Sequence, residues 1–161
     1  MADDTPWLNP AEMRVWRAWL AAVGNAGNLI ADGLKASTGM ALGDYEVLVH
    51  LSGAEDWRMR MSDLSKLLYH SQSRLSQRID RLADQGLVCR EKCPNDRRGT
   101  FAVLTEAGFD RLAAAAPHHV SDVRAVLIDQ IDPDQLEVLA EILERIAAAD
   151  PPEPDDFGPD G

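Results

Sequence analysis

The sequence predicts a mostly α-helical protein, with about six helices and a single β-hairpin set among them. Three observations predict it. Apolar residues recur at three- and four-residue spacing along most of the chain. Two short β-rich runs between Leu87 and Leu104 flank a polar, turn-rich tip. The 161 residues are 45% hydrophobic and 27% charged, which fits one compact domain and excludes a largely disordered or fibrous chain.

Residues 1–9 read as a loose arm. Pro10 opens a helix, because the first turn has no use for its missing N–H. The helical pattern runs from Ala11 to about Lys35, with Trp16, Trp19, Leu20 and Val23 on one face. Gly24, Gly27 and Gly33 weaken its second half. Gly43-Asp44 begins a second helix with Tyr45, Val47, Leu48 and Leu51 on its apolar face, and Gly53-Ala54-Glu55-Asp56 ends it. Residues 58–61 alternate as a short strand. Ser62 or Asp63 is expected to cap a third helix with Leu64, Leu67 and Leu68 facing inward.

After a break at Tyr69-His70-Ser71, residues 72–85 form a fourth helix. Leu75, Ile79 and Leu82 face the core and Gly86 stops the helix. Leu87–Glu91 and Thr100–Leu104 read as strands joined by the long loop 92–99. Thr105 caps a helix from about Glu106 to Gln130, which Pro117 is expected to kink or split. Asp132-Pro133 starts a last helix with Leu136, Leu139, Ile142, Leu143 and Ile146 on one stripe. Residues 150–161, with five acids, four prolines and no base, read as a disordered acidic tail.

No stretch reaches the roughly 18 apolar residues of a membrane span. The best candidate, Val15 to Ile30, is broken by Arg17 and Asn25, so no membrane partner is expected. The acidic start Met1-Ala2-Asp3-Asp4 argues against a secretory leader, and a cytoplasmic location is expected.

The net charge of −11 argues, taken globally, against a polyanionic partner. Its distribution argues the other way. Residues 58–98 hold ten Lys or Arg against five Asp or Glu, a net +5, while the remainder holds six against 22, a net −16. Screening confines the influence of exposed charges to roughly 8–10 Å, so the local island matters more than the total.

Helix, short helix, turn, helix and hairpin over residues 44–104 is the order of a winged helix-turn-helix. Two places on it suit duplex DNA. The fourth helix, with its leucines turned inward, aims Ser73 and Gln77 outward, with Arg74 and Arg78 flanking that face. Ser71, Gln72, Ser73, Arg74, Gln77 and Arg78 precede any acid, giving a donor-rich end for base edges and phosphates in a major groove. The second place is the hairpin tip, where Arg97 and Arg98 suit the negative potential of a narrow minor groove. Asp96 beside them pairs with an arginine to fix the loop, or is a simple turn former.

Residues 96–108 (Asp-Arg-Arg-Gly-Thr-Phe-Ala-Val-Leu-Thr-Glu-Ala-Gly) resemble the wing signature of the MarR family of bacterial transcription regulators. Residues 73–82, followed by Gly86-Leu87-Val88, resemble its recognition helix and strand entry. The resemblance implies a homodimer with interleaved terminal helices, bound to a palindromic operator and usually acting as a repressor. It casts Arg98 as the minor-groove arginine, Asp96 as its brace and residues 71–78 as the major-groove readers. The expected organisation is a helical dimerisation region (10–40 and 106–149), a winged lobe (43–104) and the tail (150–161).

Many family members release DNA on binding a small aromatic acid or on cysteine oxidation. Trp16 and Trp19 read first as core or dimer interface. Alternatively they wall an effector pocket, with Tyr45 and His50 supplying polar contacts. Cys89 is expected half-buried, and Cys93 at the loop near Lys92 and Arg97. Four residues of strand separate them by about 13 Å, too far for a disulfide. A redox-responsive regulator and a winged-helix protein-interaction module are the alternative readings. No cofactor or metal is expected, and no catalytic motif such as Gly-x-Ser-x-Gly or His-Glu-x-x-His occurs.

Overall fold

The computed structural model describes residues 5–93 and 96–149, the last three before Gly99 by backbone alone. The elements run α1 (Pro10–Thr38), α2 (Leu42–Ser52), a 3-10 turn (Glu55–Trp57), β1 (Arg58–Arg60), α3 (Met61–Leu67), α4 (Gln72–Asp84), β2 (Val88–Cys93), β3 (Asp96–Leu104) and α5 (Glu106–Val126). Two further 3-10 turns (Ile128–Gln130 and Pro133–Gln135) lead into α6 (Leu136–Ala147). The strands form one antiparallel sheet in the order β1-β3-β2. The expected tail, 150–161, lies outside the described residues.

α1 is longer than its periodicity suggests because both ends are sealed. Asn9 accepts from the N–H groups of Ala11 and Glu12, and Glu12 accepts from the N–H of Asn9. Gly39, at φ 73, closes the other end. Gly24 and Gly27 do not interrupt it. α5 lies against the C-terminal half of α1, and Pro117 does not split α5. Ala113, whose carbonyl loses its N–H partner to that proline, is exposed, so water can satisfy it.

The core is gathered under α4. Leu75, Ile79 and Leu82 are buried with Leu48, Leu51 and Leu64 from the neighbouring helices and with Val88, Ala102 and Leu104 from the sheet. Each such aliphatic side chain contributes on the order of 1.5–3 kcal/mol by leaving water. α5 approaches this core at Gly108. A Cβ there would sit 2.1 Å from the Leu87 carbonyl oxygen and 2.7 Å from Leu104 Cδ1, so only glycine fits.

Four local expectations are corrected. α3 starts at Met61 with Arg60 at its N-cap and no side-chain cap, because pairing of Arg60 with Phe101 carries the strand up to the helix. Neither Ser62 nor Asp63 caps it. Leu67 is 49% exposed: on so short a helix Leu64 and Ser65 take the buried positions. The hairpin strands are longer than expected, so the long loop 92–99 is mostly strand. An irregularity between the pairs Lys92–Thr100 and Cys93–Asp96 leaves residues 97–99 without partners on β2. The cysteines exchange places: Cys89 is exposed and Cys93 is 5% exposed.

Several large apolar residues face outward in the single chain. Trp16, Leu20 and Val23 are 49%, 52% and 53% exposed on α1, and Val138 and Ile146 stand out from α6. Among the described residues, no helix is long and apolar enough to cross a membrane.

Candidate nucleic-acid interface

α3 and α4 are joined by a tight turn. Tyr69 adopts φ 50 there and is 92% exposed, while the N–H of His70 donates to the Ser65 carbonyl. Ser71 then caps α4, accepting from the N–H of Arg74 and lying 3.2 Å from Ser73 Oγ. Burial of Leu75, Ile79 and Leu82 leaves Gln72, Ser73, Arg74 and Gln77 exposed on the opposite face.

Arg78 departs from the expected arrangement. It turns inward, its Nη1 2.6 Å from Asp44 Oδ1, with both side chains more than four-fifths buried. Arg81 approaches the same carboxylate at 3.7 Å. Arg78 therefore fastens α4 to α2 and does not flank the exposed face. These partners lie 34 residues apart, and no local pattern announces them.

A cleft of about 490 Å³ joins the helix to the hairpin. Gln72, Ser73 and Ser76 line it from α4, Arg90, Gly99 and Thr100 from β2 and β3, and Arg60, Met61 and Ser62 from the corner where β1 enters α3. Ser73 and Gly99 thus face one space, and β3 continues backward from Gly99 through residues 98, 97 and 96. The side chains of Asp96, Arg97 and Arg98 lie outside the described residues.

Arg90 was not singled out from the sequence. Its Nη2 donates to Asp80 Oδ1 (2.8 Å), Ser76 Oγ (2.9 Å) and the Ser76 carbonyl (3.1 Å), and its Nε donates to Asp80 Oδ1 (3.1 Å). Strand alternation carried the signal: Val88 is buried, so Arg90 lies on the same, helix-facing side. Arg58 and Arg60 occupy the other side, with their guanidinium carbons 5.3 and 5.6 Å from the centre of the Phe101 ring.

The four expected effector residues separate within one chain. Tyr45 and His50 share a cavity of about 310 Å³ with Ile30, Leu42, Glu46, Val49 and His119. Trp16 and Trp19 do not line it. His119 packs on Tyr45 at 4.4 Å between ring centres. His119 Nδ1 and Asp122 Oδ2 are buried with no hydrogen-bond partner among the described residues. Burial raises the Tyr45 phenol pKa above its ordinary value of 10.0.

Comparison with known proteins agrees with this architecture. The sequence profile of the MarR family matches residues 38–99. AbsC, a MarR family transcriptional regulator from Streptomyces coelicolor, is 43% identical, with 89% of this chain and 96% of AbsC covered and a TM-score of 0.83. Sco3205, a MarR family regulator from the same organism crystallised in complex with DNA, is 36% identical, with 93% and 94% covered and a TM-score of 0.86. The transcriptional repressor YetL of Bacillus subtilis (strain 168) is 28% identical over 115 residues, 70% of this chain and 69% of YetL.

Proposed function

This chain belongs to the MarR family of transcriptional regulators, and from that premise we propose that it is a homodimeric, ligand-responsive repressor of a palindromic operator. The observation that carries the reading is the shared cleft: the first turns of α4 and the base of the hairpin tip border one space, so a single duplex can meet both. Gln72, Ser73, Arg74 and Gln77 read a major groove, Ser71 holds their helix start, and Arg97 and Arg98, braced by Asp96, enter the adjacent minor groove. Arg78 is left out of the reading set, because Asp44 holds it.

The helical dimerisation region is 10–40 with 106–149, where the outward Trp16, Leu20 and Val23 and the face of α6 are covered by a second copy. The dimer then holds two α4 helices about one helical turn of DNA apart, roughly 34 Å, for successive major grooves. The acidic remainder repels DNA and orients the encounter.

Ligand response is assigned to the cavity between α1, α2 and α5. Its apolar wall and the polar groups of Tyr45, His50 and His119 suit a small aromatic acid. A ligand acts there only through different affinities for the DNA-competent and DNA-incompetent arrangements. The test is a gel-shift titration on DNA flanking the protein's own gene. Arg74→Ala and Arg98→Ala should each weaken binding about tenfold or more without changing the thermal transition or the dimer. Undiminished binding by Arg98→Ala would remove the wing from this account.

A further inference from the structure

A duplex that receives α4 in a major groove and the hairpin tip in the neighbouring minor groove has one sugar–phosphate strand between those grooves. The protein must straddle that strand, and the cleft between α4 and the hairpin is the space that faces it. The cleft wall nearest the β1–α3 corner carries Arg60. Its guanidinium lies against the Phe101 ring, directly across the β1–β3 pair, which limits the directions in which the charge can point. The other arginine in the cleft, Arg90, already gives its guanidinium to Asp80 and Ser76.

We propose that Arg60 is a DNA-binding residue that seats a backbone phosphodiester in the cleft between α4 and the hairpin, a contact independent of base sequence. The inference rests on the DNA-binding reading above and extends it to an element, β1, outside both the recognition helix and the wing. Arg58 supplies the comparison. It lies on the same strand face and against the same ring, yet it does not line the cleft, and Asp56 approaches it at 3.5 Å. The two arginines therefore differ in position while sharing strand, charge and aromatic neighbour.

The test uses the full chain and a short, fluorescein-labelled duplex of mixed sequence, titrated by anisotropy over a range of KCl concentrations. Each phosphate contact contributes about 0.9 to the slope of log affinity against log salt. Arg60→Gln should lower that slope by about 0.9 per subunit and weaken binding to the mixed-sequence duplex and the operator alike. Arg60→Lys keeps the charge and should keep the slope, which separates phosphate contact from a folding defect. Arg58→Gln should match the unmutated protein.

An unchanged slope for Arg60→Gln, or an equal loss for Arg58→Gln, overturns the assignment while leaving the DNA-binding reading intact. If the unmutated protein binds neither duplex, the reading beneath it falls as well.

Discussion

Arg90 on β2 holds Asp80 on α4 through two donors, Nη2 at 2.8 Å and Nε at 3.1 Å from the same carboxylate oxygen. With Ser76 as a further acceptor, this contact fixes the hairpin against the helix whose first turns border the cleft. Asp80 is 60% exposed, so the pair contributes no more than about 1 kcal/mol to folding.

Asp80→Ala distinguishes positioning from charge. Removing an anion from a DNA-facing lobe should by electrostatics alone tighten binding. Loss of the brace should loosen it. The expected outcome is weaker operator binding, about threefold to tenfold, with a nearly unchanged urea midpoint. Tighter binding would reduce Arg90 and Asp80 to a surface pair.

Asp44 and Arg78 form a different kind of pair, more than four-fifths buried on both sides. Asp44→Ala strands a guanidinium away from water and should cost about 2–3 kcal/mol by chemical denaturation. Replacing both partners, as Asp44→Leu with Arg78→Met, should cost less than the single change, because no unpaired charge is left behind.

Gly108→Ala should destabilise the fold by about 2 kcal/mol or more, despite alanine's advantage of roughly 1 kcal/mol within a helix. The added methyl would meet the Leu87 backbone, which cannot swing aside as a side-chain tip can. Thermal unfolding of the purified protein measures it.

Tyr45 gives an alkaline prediction. Its phenol holds its proton beyond the ordinary value of 10.0 because burial disfavours the anion. The unfolded chain releases that proton first, so the folded state loses stability as pH rises above about 10. Tyr45→Phe should flatten this part of the profile, seen as a smaller fall in melting temperature from about pH 9 to 11. An equally steep fall in the variant would assign the loss to other groups.

What the sequence made legible follows from range. Leu75, Ile79 and Leu82 announce α4 within eleven residues of their own neighbourhood, and Thr105 announces α5 through a cap to Gly108 three residues on. Arg78 shows the limit. Its spacing places it beside an exposed face, and only the arrival of Asp44, 34 residues upstream in sequence, turns it inward. Leu67 and the two cysteines failed for the opposite reason: periodicity over so few residues cannot fix which way a side chain points. Trp16 and Trp19 were grouped with Tyr45 by chemistry alone, and the length of α1 carries them away from its cavity.

Asp44 and Tyr45 are consecutive on α2, and they look in different directions. One grips the helix placed to read bases, and the other forms part of a cavity wall. A short, well-packed helix moves as a lever, not as a hinge. Any molecule that enters beside Tyr45 and tilts α2 therefore displaces the anchor of Arg78 in the same stroke, with a single peptide unit as the transmission.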